Sequence, residues 1–160
     1  MKTLLLGQHG QVSQELQRAL QGTDELIVLG REQLDLAKPE LIRQQLQRLR
    51  PELIINAAAH TAVDQAESES QLAFAINATA PGIIAELAAE LGAPLVHYST
   101  DYVFDGSHTE PYRESDSTNP LSVYGRSKLT GEQAIQAVGG MHLILRTSWV
   151  YSQHGKNFLL

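Results

Sequence analysis

Short apolar runs alternate along this chain with longer amphipathic stretches, and that alternation leaves few ways to bury both kinds of segment in one core. Strands are expected at residues 2–6, 26–29, 53–56, 95–99 and 142–146, where apolar residues run almost without interruption. Helical spacing occupies residues 11–21, 39–48 and 120–138, and the Ala-rich stretch 68–91 is also helical, with Pro81 placed to start a new turn or kink it. Gly92-Ala93-Pro94 then stops it. Residues 101–119 are polar, carry Gly106 and Pro111 and lack helical periodicity, so they read as a loop, and a loop of this length in a compact domain usually has a function. The order βαβαβ predicts an α/β domain over residues 1–160, a doubly wound parallel sheet with helices on both faces. Right-handed crossovers in such a sheet place ligands at the carboxyl ends of the strands.

Composition removes several classes. The 160 residues carry 12 basic and 18 acidic side chains, for a net charge of -6, and no Lys/Arg run marks a phosphate-backbone footprint, so nucleic acid is not an expected partner. Cysteine is absent, which excludes disulfides and thiolate metal sites in these residues. The histidines His9, His60, His97, His108, His142 and His154 lack ligand spacing, so no metal is expected. The opening apolar run is broken by Gly7 and Gln8, too early for a signal peptide. No later segment reads as the roughly 18 apolar residues of a membrane span. A cytoplasmic protein away from the membrane is the simplest expectation.

The first strand runs into Gly7-Gln8-His9-Gly10-Gln11-Val12-Ser13, which opens the first helix. Two glycines there allow a tight turn and a close approach of backbone to a pyrophosphate at a helix N-terminus, as in a Rossmann-like dinucleotide site. Ser13 stands where the usual spacing has a third glycine. After the second strand, Leu29-Gly30-Arg31 lacks the acidic residue that would bind an adenosine ribose 2′-hydroxyl. Arg31 can pair with a 2′-phosphate or stand as a solvated surface charge, and both readings stay open. Asp35 and Leu36 can approach the adenine side, or Asp35 can be a turn residue.

Tyr124-Gly125-Arg126-Ser127-Lys128 puts a phenol and an ammonium four residues apart, on one face of the helix expected from Pro120. A nearby cation favours the phenolate, and bringing a tyrosine near neutrality needs about 4 kcal/mol of differential stabilisation. A solvated lysine does not supply that, so the spacing predicts that a cofactor buries the pair. The fourth strand ends in His97-Tyr98-Ser99-Thr100-Asp101-Tyr102, placing hydroxyls at its carboxyl end. Side chains alternate faces along a strand, so one of Ser99 and Thr100 should face the site.

These segments, with Asn56-Ala57-Ala58-Ala59-His60-Thr61-Ala62-Val63-Asp64 and Arg146-Thr147-Ser148-Trp149-Val150-Tyr151, occur in order along the chain. Together they resemble the dTDP-4-dehydrorhamnose reductase family of extended short-chain dehydrogenases/reductases. The resemblance implies reduction of dTDP-4-dehydro-L-rhamnose to dTDP-L-rhamnose with NADPH or NADH. It implies Thr100, Tyr124 and Lys128 as the catalytic residues, with Tyr124 and Lys128 also at the cofactor. Gly7, Gly10, Gln11, Val12, Arg31, Asp35, Leu36, Ala57, Ala58, Ala59 and Asn77 would bind cofactor; Asn77 can instead satisfy a helix irregularity near Pro81. Thr61, Val63, Asp64, Asp101, Tyr102 and Trp149 would lie near the dTDP-sugar, although Trp149 and Val63 can equally be core residues.

Proteins of that family continue into a C-terminal portion that closes over the nucleotide sugar, and the resemblance allows a homodimer in the full-length form. That portion is not among these residues, which end at Phe158-Leu159-Leu160, so the expectation is cofactor binding with poor or no sugar reduction. Two alternatives share many of the same residues. One is a nucleotide-sugar epimerase or dehydratase. The other is a non-catalytic regulatory subunit resembling that of methionine adenosyltransferase.

Overall fold

A computed structural model describes residues 1–22, 25–153 and 157, so His154 and Phe158-Leu159-Leu160 lie outside the described residues. Five strands, β1 (Lys2–Leu6), β2 (Glu25–Leu29), β3 (Leu53–Asn56), β4 (Leu95–Thr100) and β5 (His142–Thr147), form one parallel sheet in the order β2-β1-β3-β4-β5. Among the described residues, six α-helices accompany them: α1 (Gln11–Ala19), α2 (Pro39–Leu49), α3 (Val63–Ser68), α4 (Ser70–Phe74), α5 (Ala80–Leu91) and α6 (Val123–Val138). The chain leaves central β1 toward β2 and returns past it to β3, so its winding reverses there. Right-handed crossovers send α1 to one face and α2, α5 and α6 to the other. The expected Rossmann-like α/β sheet is the fold observed.

Parallel strands are apolar on both faces because both are meant to be covered. On the α2–α5–α6 face, Leu4, Leu6, Ile54 and Leu95 of the sheet meet Ile42 and Leu46 of α2, Ile84 and Leu87 of α5 and Ile135 of α6. Burying one such side chain contributes roughly 1.5–3 kcal/mol. This packing fixes α6, with Tyr124 and Lys128, against the carboxyl half of β4.

The expected helix 68–91 divides. Its middle is a π-turn, Ala75–Thr79, between α4 and α5. Pro81 explains the break: it has no N–H to offer the Asn77 carbonyl four residues back. That carbonyl instead faces α6 at Gly131, where an added Cβ would collide with it. The helix α3 had no expectation in the sequence. Ser122 accepts a hydrogen bond from the Gly125 N–H at 3.0 Å and caps α6, which moves its start from Pro120 to Val123.

The Ser70–Leu91 stretch corrects the expectation that no segment has the make-up of a membrane span. It is 22 residues long and its most apolar 18-residue window has mean hydropathy 1.5, long and apolar enough by length and composition. Ala and Ile, buried against the sheet and α6, account for this, and 56% of its most apolar window is buried inside the protein.

Residues 101–119 begin with a single 3-10 turn, Asp101–Val103, and then follow an irregular path. Asp105 organises that path by accepting hydrogen bonds from the Ser107 N–H at 2.9 Å, the Tyr112 hydroxyl at 2.9 Å and the Asn119 amide at 2.8 Å. These donors hold its carboxyl well below the usual carboxylate range.

Candidate functional site

At the carboxyl ends of β1 and β3 the winding reversal opens a crevice of about 440 Å3. Gly7 forms its lip with φ of +105°, and a Cβ there would come within 3.0 Å of the Ala57–Ala58 backbone. Only glycine satisfies both conditions. Gly10 begins α1 with no side-chain cap, so the positive end of that helix faces the crevice. Ser13, at the third-glycine position, is fully buried, which meets the close-packing need with one small side chain. Gly7, Gly10, Ala57, Ala58 and Ala59 present little but backbone to this space.

The adenine-side candidates separate by environment. Arg31 is exposed at the crevice margin. Asp35 also borders the crevice, but its carboxylate accepts the Ala37 N–H at 3.0 Å, as a turn residue does. Leu36 is buried in the main core while reaching the same wall.

A second cavity of about 440 Å3 adjoins the first along His9, Gly10, Ala57, Ala59 and Thr61. Gln11, Val12, Val63, Thr100, Asp101, Tyr102, Tyr124, Lys128 and Trp149 all border it, so residues from five separate segments meet there. Trp149 is 76% exposed, with a left-handed φ of 50°, which excludes the core alternative for this side chain. Val63 is half-buried against the small cluster of Ala66, Ala73, Val123 and Tyr124. Two nominated residues border neither cavity. Asp64 is exposed in the first turn of α3. Asn77 is buried and sews elements together: its amide exchanges hydrogen bonds with the His60 backbone at 2.8 and 3.0 Å and donates to Ser127 Oγ at 3.0 Å.

Ser99 and Thr100 take opposite faces, as strand alternation requires. The Ser99 hydroxyl donates to Glu132, behind the sheet. The Thr100 hydroxyl, at the cavity, accepts the Tyr102 N–H at 3.2 Å and donates to Asp101 Oδ1 at 3.3 Å.

Tyr124 and Lys128 differ from expectation in one physical respect. No cofactor is needed to bury them: they are 9% and 1% exposed within the protein itself. Burial pushes the Tyr124 phenol above its ordinary value, Asp101 adds to this, and the Thr100 hydroxyl beside it opposes the shift. Burial also lowers the Lys128 amine to about 8, against the opposing charge of Glu132. Desolvation therefore dominates at the phenol.

Behind the cavity lies a polar layer that sequence reasoning missed. Lys128 Nζ donates to the Tyr98 carbonyl at 2.6 Å and lies 3.4 Å from His97 Nε2. His97 Nδ1 meets the Asn56 amide at 3.1 Å. Glu132 is gripped by Arg146 in a fork, with Nε–Oε1 at 3.0 Å and Nη2–Oε2 at 2.7 Å. The positions of Glu132 and Lys128 one turn apart were the available signal, since both fall on the helix face that carries Tyr124.

Residues 1–160 match the family described as RmlD substrate binding domain. The dTDP-4-dehydrorhamnose reductase of Salmonella typhimurium is 51% identical over 162 aligned residues, which cover 99% of this chain and 54% of that protein. The crystal structure of a dTDP-4-dehydrorhamnose reductase from Clostridium acetobutylicum superposes with a TM-score of 0.95 at 41% identity, covering 99% of this chain and 57% of that one. One from Bacillus anthracis, in complex with NADP, gives 0.93 at 38% identity, with coverage of 99% and 58%. The chain spans about half the length of the curated relatives it matches.

Proposed function

Because the chain belongs to the RmlD substrate binding domain family, we propose that it forms the cofactor-holding, proton-donating half of an NADPH- or NADH-dependent dTDP-4-dehydrorhamnose reductase. One observation carries the reading. Tyr124, Lys128 and Thr100 share a cavity that is continuous with the glycine-lined crevice at the sheet's winding reversal.

The residues fit a dinucleotide. Gly7 and Gly10 clear room for a pyrophosphate beside the N-terminus of α1, Ala57 to Ala59 offer an unobstructed backbone wall, and the crevice ends at Arg31, Asp35 and Leu36. When bound, the reduced dinucleotide supplies a hydride to the sugar C4 carbonyl carbon. Tyr124 supplies the matching proton to the carbonyl oxygen, completing a two-electron reduction to the alcohol. A phenol held protonated by burial suits a donor better than a phenolate would. Thr100 orients that oxygen, and Lys128 holds the nicotinamide ribose. Thr61, Val63, Asp101, Tyr102 and Trp149, which border the cavities, would contact the dTDP-sugar; Asn77 acts through the segments it braces, and Asp64, exposed in the first turn of α3, lines neither cavity. The reading carries with it a cytoplasmic location and a homodimer of the full-length form.

The test is Tyr124→Phe in the full-length protein, following nicotinamide absorbance with dTDP-4-dehydro-L-rhamnose. Turnover should fall by roughly 10²–10⁴-fold, with cofactor binding retained. Undiminished turnover would remove Tyr124 from the chemistry. Redox-neutral conversion of the sugar would favour an epimerase or dehydratase.

A further inference from the structure

We infer that Asn56 and His97 form a hydrogen-bond relay that sets the protonation of the Lys128 amine, an inference that deepens the proposed function and takes its mechanistic meaning from it.

The relay begins in the wall of the cofactor crevice. The Ala58 N–H donates to Asn56 Oδ1 at 3.2 Å, which commits the amide oxygen and turns the amide NH2 toward His97 Nδ1 at 3.1 Å. Nδ1 is therefore an acceptor, and a neutral imidazole with Nδ1 unprotonated carries its hydrogen on Nε2. That N–H lies 3.4 Å from Lys128 Nζ. Toward an amine it meets a lone pair, and toward an ammonium it meets another donor. Among the described residues, the acceptor bonded to Nζ is the Tyr98 carbonyl at 2.6 Å, which suits either form.

The other charged and titratable neighbours do not cancel this preference. Glu132, from the next turn of α6, is engaged by Arg146 of β5 and by Ser99 of β4. Tyr124, from the preceding turn, faces Thr100 and Asp101. Among the described residues, no carboxylate stands within ion-pair distance of Lys128. His97 is fully buried, and both burial and the lysine charge hold its ring neutral. To favour the ammonium, the Asn56 amide must turn over, present its oxygen to Nδ1 and give up the Ala58 N–H. Movement of the crevice wall at Ala58 is thereby wired to the lysine across three side chains.

The test reads the relay directly in this chain without ligand. Imidazole 15N resonances should report the Nε2–H tautomer for His97, and the Lys128 side-chain signals should titrate near 8. In His97→Gln the side-chain carbonyl can accept from the ammonium. Its midpoint should rise by about one pH unit, a tenfold change in the amine-to-ammonium ratio. A His97 Nδ1–H tautomer in the unmodified chain overturns the relay whatever the variant does. So does an unchanged Lys128 midpoint in folded His97→Gln. Titration of the same chain with NADPH by fluorescence judges the cofactor reading separately: no binding, together with the Nε2–H tautomer and a shifted midpoint, defeats that reading and upholds the relay.

Discussion

Lys128 and Glu132 are one turn apart on α6 and each is 1% exposed, yet the carboxylate is turned away from the lysine and onto the Arg146 guanidinium. The lysine is thus buried against the Tyr98 carbonyl and the His97 ring, with no carboxylate at ion-pair distance among the described residues, while the glutamate is engaged by Arg146 and Ser99. The cost of that arrangement falls on stability, and its benefit falls on the cavity.

Lys128→Met should therefore stabilise the fold. The unfolded chain keeps the lysine proton up to about 10.5, while the folded chain releases it near 8. Between those values the unfolded state binds more protons, so stability rises with pH there, and the penalty is complete below 8. The gap corresponds to about 3 kcal/mol as an upper bound. Urea unfolding at pH 7 should show Lys128→Met more stable by ~1–3 kcal/mol, with the advantage shrinking toward pH 10. Equal stability at both pH values would contradict this.

Breaking the Glu132–Arg146 pair should do the opposite. Arg146→Leu strands a buried carboxylate and should cost about 3–5 kcal/mol, whereas Glu132→Leu combined with Arg146→Leu should cost less than Arg146→Leu alone. Chemical denaturation of these two variants beside the unmodified chain decides whether charge burial or packing dominates.

Gly131→Ala turns on the sign of its effect. In an open helix the change gains up to about 1 kcal/mol of propensity. Here the new methyl meets the Asn77 carbonyl, which is backbone held by the π-turn, so α6 must separate from it. A net loss of ~1–3 kcal/mol is expected in thermal or urea unfolding, with faster amide exchange around residues 75–79. A gain in stability would show that the contact relaxes freely.

Arg31→Ala tests the cofactor preference. With Arg31 exposed at the crevice margin and no acidic residue at the end of β2, fluorescence titration should show NADPH affinity falling by about tenfold and NADH affinity unchanged. Equal effects on both would make Arg31 a surface charge.

Much of this architecture is legible in the chain because it is local. Buried parallel strands are short apolar runs, so β1 to β5 were placed within a residue at each end. The four-residue step from Tyr124 to Lys128 put both on one helix face. Pro81 signals a new turn or kink in the Ala-rich stretch, and the structure breaks there into α4, a π-turn and α5; a boundary shifts where one local signal cancels another, as Ser122 overrides Pro120 at the start of α6.

By itself, then, the sequence determined the order of elements, the glycine turn after β1 and the spacing of phenol and amine, since each depends on neighbours within a few positions. Tertiary structure decided which polar groups meet in the interior. Asn56 finds His97 across 41 residues, His97 finds Lys128 across 31, and Asn77 finds Ser127 across 50. Strand register and helix docking make those pairs, and no local pattern encodes them. The same burial turned the expected lowering of the tyrosine's pKa into a raising, because desolvation is a property of the packed interior and not of any run of residues.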